Sequence, residues 1–322
     1  DGMRVAMMLC SSAGNDLMFD NALCEQGRNF GNKIWNAYRL INGWQVDASL
    51  AQSDCSKQAV AWFTNRFNAA LAEIEDNFSN YRISEALMVA YKLFWDDFSG
   101  WYLEMIKPAY GSPCDAATMA ATKKMFESLM LLLHPFMPFV TEEIWQDLAE
   151  RKEGESICVA SMPKAEKADE VALARFILAQ DVVSAVRNVR KQKNLPQKEA
   201  LELKVVRDEN YPAEYEAAIA KMANLSAVTF VTEKNPMDAA FIVKTTQYFV
   251  PMGDNIDKEA EIAKLEKDLA YQQGFLATVM KKLSNERFVS SAPAQVVANE
   301  QNKKRDAEAK IAAIEEQLAA LK

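Results

Sequence analysis

Toward the end of the chain, two runs of residues alternate three and four apart around a turn signal, which confines this stretch to two helices lying against each other. The first run is Ile262, Leu265, Leu269, Gln272, Leu276, Val279 and Leu283; the second is Val297, Glu300, Lys304, Ala307, Ile311, Ile314, Leu318 and Leu321. Between them stand Ser290, Ser291, Ala292 and Pro293, serines that suit an N-cap and a proline that suits a first helical turn. Heptad spacing on both sides of a short connection predicts an antiparallel hairpin coiled coil over residues 256–322. Folding the hairpin back places Leu269 near Ile311, Leu265 near Ile314 and Leu276 near Lys304, so the apolar seam weakens toward the tip.

Upstream the pattern is helical as well. Leu23, Gly27, Phe30, Ile34, Ala37 and Ile41 recur at helical spacing and end at Asn42-Gly43. Phe63, Phe67, Leu71, Ile74 and Phe78 form a second stripe. Leu87 to Met105 form a third, closed by Pro108, and Met119 to Leu133 a fourth. Thr141 is expected to cap a short fifth helix, with Val140 and Trp145 spaced as a hydrophobic staple and Glu142 and Glu143 at its positive end. Amphipathic helices with short connections and no strands predict a bundle over 22–150. Composition changes near Arg151–Gly154. β-branched runs at Ser156–Ala160, Leu201–Arg207, Ala227–Thr232, Phe241–Lys244 and Tyr248–Pro251 then flank helices at about 166–194 and 212–223, which reads as a small α+β module over 155–252. The fold class is therefore mainly α.

Several chemistries are excluded by what is missing. With a single histidine the chain holds no multi-histidine metal motif, and its ten glycines never form a phosphate-binding loop. The five cysteines are scattered and never paired as Cys-x-x-Cys, so neither a disulfide framework nor a zinc site is expected and a reducing, cytoplasmic setting follows. Met3 to Cys10 imitates a lipoprotein signal only faintly, because the apolar run is short and its charged lead is one arginine. No stretch has the ~20 apolar residues of a membrane span. His134, before Pro135 at a helix end, is assigned a core or capping role, and no nucleophile–base pair is found. No catalytic residue and no metal ligand is assigned.

The formal net charge is −8, so nucleic-acid binding would have to come from local patches. From Gly274 to Arg305 the basic residues Lys281, Lys282, Arg287, Lys303, Lys304 and Arg305 face only Glu286 and Glu300, whereas the base of the hairpin is acidic. A cationic tip suits a phosphate backbone; the alternative is the solvated flank of any coiled coil. Arg187, Arg190 and Lys191, near the end of the long helix, either offer a second basic ridge or answer the helix dipole. Opposite the apolar stripe of the first bundle helix lie Arg28, Asn32, Trp35, Asn36 and Arg39, with Lys33 among them. Asn and Arg match base edges and Trp offers a stacking surface, as single-stranded loops require. A polar network buried between helices accounts for the same residues equally well.

These residues also carry a resemblance. Gly27-Arg28-Asn29-Phe30-Gly31-Asn32-Lys33-Ile34-Trp35-Asn36-Ala37 resembles the first helix of the anticodon-binding bundle of valyl-tRNA synthetases. Phe94-Trp95-Asp96-Asp97-Phe98, the stretch from Leu133-His134-Pro135-Phe136 to Ile144-Trp145, and Leu283-Ser284-Asn285-Glu286-Arg287-Phe288-Val289 are similar to other segments of that family in the same order. Gly100 departs from it, since many members have Cys-Asp before Trp-Tyr. The resemblance implies a C-terminal part in which the bundle binds the anticodon loop of tRNA(Val) and the arm braces the outer corner of the tRNA. It implies that residues 1–21 are a remnant of the connection to the catalytic domain. It also implies that ATP with Mg, valine activation and editing belong to upstream domains, leaving this part alone no enzyme, without cofactor and monomeric. A scaffold whose coiled coil binds another protein is the rival reading.

Overall fold

The computed structural model describes residues 1–10, 20–206, 208–232, 238–252, 258–285 and 294–321, and these form two compact units, Asp1–Ile177 and Leu178–Lys322.

The first unit is helical. It contains α1 (Gly2–Cys10), α2 (Asn21–Asn42), α3 (Asp54–Ser79), α4 (Ile83–Lys92), a π-helical segment (Leu93–Tyr102), α5 (Leu103–Ile106), α6 (Ala116–Leu133) and α7 (Pro138–Leu148). Two-residue strands β1 (Val46–Asp47) and β2 (Cys114–Asp115) pair in parallel and tie the connection after α2 to the one before α6. The third sequence stripe is thus not one α-helix. In a π-turn, residues four apart stay close to one face. Phe94, Phe98 and Tyr102 use this to point together into the core, with ring centroids 5.5 and 5.3 Å apart. Phe63 of α3 lies 5.3 Å from Phe98 and 5.1 Å from Tyr102, completing the aromatic centre of the bundle.

Residues 1–10 belong to this bundle. A Cβ on Gly27 would lie 2.4 Å from the backbone oxygen of Gly2, so the glycine lets α1 and α2 touch backbone to backbone. Packing accounts for Gly27, which helix propensity leaves unexplained. The expected Thr141 cap is corrected. Helix α7 starts earlier, with Pro138 in its first turn, and the Asp1 carboxylate accepts from the backbone N–H groups of Phe139 (3.2 Å) and Val140 (2.8 Å). Thr141 is buried and donates to the Met137 carbonyl at 2.7 Å.

The strand expected at Ser156–Ala160 is also corrected. Residues Ile157–Val159 form a 3₁₀ turn, which Glu142 anchors by accepting from Ser156 Oγ (2.6 Å) and Ile157 N–H (3.2 Å). Downstream, Asn68 and Asn65 of α3 accept from the backbone N–H groups of Glu166 and Asp169, and Phe176 stacks on Trp62 at 4.0 Å. These contacts explain why the first unit extends to Ile177, inside helix α8 (Glu170–Gln192), beyond the composition change at Arg151–Gly154.

The second unit begins with the rest of α8, whose Val182, Val183, Val186 and Val189 are buried. Strands β3 (Leu201–Val206), β4 (Leu225–Phe230), β5 (Ala239–Val243) and β6 (Thr246–Val250) form a sheet in the order β4-β3-β6-β5. The parallel β3–β4 pair needs a crossover, supplied by a 3₁₀ turn (Ala213–Tyr215) and α9 (Glu216–Ala223), while β5 and β6 form the expected hairpin. The small module is α+β, as expected.

Helices α10 (Lys258–Leu283) and α11 (Ala294–Leu321) pack along each other. The sequence-derived seam is the one observed: Leu265, Val279, Ala307 and Leu318 are buried, and Ile262, Leu269, Leu276, Ile311 and Ile314 are half-buried.

Candidate nucleic-acid interface

Helix α2 buries Phe30, Ile34, Ala37, Tyr38 and Ile41 and turns Arg28, Asn32, Trp35, Asn36 and Arg39 outward. A polar network buried between helices is therefore ruled out for these five. Trp35 is 40% exposed, and its ring leans on Tyr38 at 5.5 Å. Lys33 differs from the others: it is half-buried, with its ammonium 5.2 Å from the centroid of Trp95. Part of its charge therefore serves a cation–π contact within the bundle.

At the C-terminal end of α2 lies a cleft of about 480 Å³ to which Arg39, Trp44, Gln45, Lys107 and Tyr110 contribute. The β1–β2 pair builds it by holding the two connecting loops together; Cys114 N–H donates to the Gln45 carbonyl at 2.8 Å. Gly111 adopts φ +79, a conformation that favours glycine, where the chain turns beside Tyr110. Tyr110 is fully exposed. An exposed tyrosine and a half-buried tryptophan beside two cationic side chains can stack on bases while neutralising phosphate. Sequence reading named Arg39 but missed Trp44, Gln45, Lys107 and Tyr110. Asn42-Gly43 and Pro108 served there only as helix-end signals, although each has an aromatic residue within two positions.

The basic groups of the second unit divide sharply. Arg190 is 1% exposed; its guanidinium donates to the carbonyls of Pro196 (3.0 Å), Glu199 (2.7 Å), Ala223 (3.0 Å) and Asn224 (2.8 Å). The expectation that Arg190 meets phosphate is corrected, because its donors are spent joining α8 to the segments that lead into β3 and β4. Arg187 and Lys191 are both exposed, and Arg187 donates to the Met222 carbonyl at 3.0 Å.

On the hairpin, Lys281, Lys282, Lys303 and Arg305 are exposed and Lys304 is half-buried. Glu300 sits in the seam and holds Lys303 at 2.6 Å and Lys282 at 3.7 Å; Lys304 pairs with Glu308 at 3.7 Å. Lys281 and Arg305 have no ion pair among the described residues. Arg287 lies outside the described residues.

Residues 61–206 match the family described as the anticodon-binding domain of tRNA ligase, and residues 257–322 match the valyl tRNA synthetase tRNA binding arm. The fold is accordingly that of a tRNA-binding module. Valine–tRNA ligase of Parabacteroides distasonis is 54% identical over 321 residues, 100% of this chain and 36% of that protein. The enzyme of Phocaeicola vulgatus is 52% identical, with 100% and 37% covered, and that of Listeria innocua 35% identical, with 100% and 38% covered. The chain belongs to the valine–tRNA ligase family and spans little more than a third of the length of these relatives. Helix α2 precedes the residues matched by the anticodon-binding family and lies within the span aligned to the relatives. No described helix is long and apolar enough to cross a membrane.

Proposed function

We propose that this chain is the C-terminal, tRNA-recognising part of a cytoplasmic valine–tRNA ligase and acts as a monomer on tRNA(Val). Bases of the anticodon loop meet Arg28, Asn32, Trp35, Asn36 and Arg39 and enter the cleft beside Trp44 and Tyr110, while Lys33 supports this face from its place over Trp95. Phosphates meet Lys281 and Arg305 first, with Lys282, Lys303, Lys304 and Arg287 adding to the field at the arm's tip and Arg187 and Lys191 to that of α8. ATP with Mg, valine activation and editing are assigned to other domains of the ligase, and no cofactor is assigned to this part.

The observation that carries the reading is the continuity of the α2 face with the cleft through Arg39, which lines both. Titration of the chain with cognate and non-cognate tRNA over a salt series tests it. The expected result is tighter binding of tRNA(Val), weakening steeply as salt rises; equal and salt-insensitive binding of both RNAs overturns it. A protein-binding scaffold finds support only in Tyr271, Phe275 and Met280, apolar and exposed on α10. The closed seam leaves the arm no other apolar surface of that size among its described residues.

A further inference from the structure

The only histidine of the chain stands among donors outside the proposed tRNA-binding residues. His134 is the C-cap of α6, Glu142 lies in the second turn of α7, and Cys158 is the middle residue of the 3₁₀ turn. His134 Nε2 lies 3.2 Å from Cys158 Sγ, and one donor atom from each of the three residues falls within 4.8 Å of the other two.

Hydrogen bonds fix the tautomer of the imidazole. Thr141 Oγ1 is 2.7 Å from the Met137 carbonyl, which can only accept, so the hydroxyl proton goes there. The same oxygen is 2.8 Å from His134 Nδ1 and therefore accepts the ring N–H. This leaves the Nε2 lone pair directed at Cys158. A ring N–H tied back to a fixed acceptor with the other nitrogen presented is the arrangement that orients metal-ligating histidines.

The other donors are held as well. Glu142 anchors the turn through Ser156 and Ile157, and Gln146 Nε2 donates to Glu142 Oε1 (2.7 Å) and to the Glu155 carbonyl (2.6 Å). A carboxylate has about four lone-pair sites, so these three contacts leave room for one more. Burial lowers the His134 pKa. For Glu142 desolvation pulls upward, but the hydrogen bonds from Ser156, Gln146 and Ile157 together bring it down.

We propose that His134 Nε2, Cys158 Sγ and a Glu142 carboxylate oxygen form a three-donor site for Zn²⁺, with water in the fourth position. Thiolate, imidazole and carboxylate are all zinc donors, and tetrahedral bonds of about 2.0–2.3 Å set their atoms roughly 3.3–3.7 Å apart. The His134–Cys158 pair already has nearly that spacing, and a Glu142 carboxylate oxygen lies within 4.8 Å of both. On binding, the Cys158 thiol releases one proton to solvent, so thiolate and carboxylate balance the dication. The metal staples the 156–159 turn to the α6–α7 joint. The three donors come from separate elements, which is why no short Cys or His spacing announces them.

Cobalt(II) titration of the full chain under a phosphine reductant tests the site. One equivalent should give tetrahedral visible bands and a near-ultraviolet thiolate-to-cobalt band, both displaced by zinc. Cys158→Ser, at an exposed position, should abolish the thiolate band while leaving the circular dichroism unchanged. His134→Gln and Glu142→Gln should each weaken cobalt binding at least tenfold. Thr141→Val removes the orienting hydrogen bond together with the one to the Met137 carbonyl and should weaken it about 10–100-fold. Absence of the band in the parent chain, or a band of equal strength in Cys158→Ser from cobalt on other thiols, overturns the proposal.

Discussion

Arg190 Nη2 donates to the carbonyl oxygen of Asn224 across 2.8 Å, and Asn224 is the left-handed C-cap of α9, at φ 52. The Asn224 side chain reaches back to the carbonyls of Gln197 (3.0 Å) and Glu199 (3.2 Å), so one buried arginine and one left-handed asparagine together tie the segment entering β3 to the one entering β4. Arg190→Met leaves four carbonyls without this donor and should cost about 3 kcal/mol or more of unfolding free energy in urea titrations. Exposed Lys191→Gln should change it by less than about 0.5 kcal/mol. Were Arg190 a phosphate ligand, its loss would lower the salt dependence of RNA binding at constant stability.

Stacking in the cleft makes a different prediction. Trp44→Ala and Tyr110→Ala should each weaken tRNA binding by about 1–3 kcal/mol, the range for a base stacked on an aromatic side chain. Tyr110 is fully exposed and contributes little to the core, so unfolding of Tyr110→Ala should match the parent. A Tyr110→Ala protein that binds cognate RNA at full strength would remove the cleft from the interface.

The arm's cations should not be equivalent. Glu300 neutralises much of Lys282 and Lys303, whereas Lys281 and Arg305 have no ion pair among the described residues. Lys281→Gln and Arg305→Gln should each reduce the slope of log affinity against log salt by about 0.7–0.9, the value of one phosphate contact. Lys303→Gln should reduce it less. Equal effects at all three positions would show that the seam glutamate does not partition the charge.

These contrasts mark what could be read from sequence. The coiled-coil seam was legible from Ile262 to Leu318 because heptad packing is local, each residue meeting a partner fixed by the repeat. The outward face of α2 was legible for the same reason, since Arg28, Asn32, Trp35, Asn36 and Arg39 fall opposite a regular apolar stripe. Non-local partners were not legible. Asp1, 138 and 139 positions away, caps α7 in place of Thr141, and Glu142 turns a β-branched run at 156–160 into a 3₁₀ turn. Arg190 sits where the helix dipole favours a cation, but its carbonyl partners lie as far as 34 residues on. Trp44 and Tyr110 come to line one cleft only because β1 and β2 pair.

Gly27 should tolerate no side chain. Its missing Cβ occupies a position 2.4 Å from the Gly2 oxygen, a backbone atom that cannot rotate away. Gly27→Ala must push α1 from α2 and should destabilise the first unit by about 1–3 kcal/mol, even though alanine is the better helix former. Gly274, with open space around the same position, is the control: Gly274→Ala should stabilise its helix by up to about 1 kcal/mol. Thermal unfolding of both variants distinguishes packing from propensity.

Asp97 supplies a pH dependence whose sign is fixed. Burial raises its carboxyl above the ordinary 3.8; Arg66 at 2.7 Å pulls it down but does not prevail, and Asp96 adds to the rise. The folded protein therefore keeps a proton that the unfolded chain has released. This contribution to stability is fully present below about pH 3.8 and is lost as pH rises through the folded-state value. Asp97→Asn does not titrate, so the stability of the parent relative to this variant should decline as pH is raised from about 3.5 toward neutrality. Urea unfolding of the two proteins across that range measures the difference directly. An increase with pH would mean that the ion pair with Arg66 outweighs desolvation and that the charged pair holds α3 to the π-helical segment.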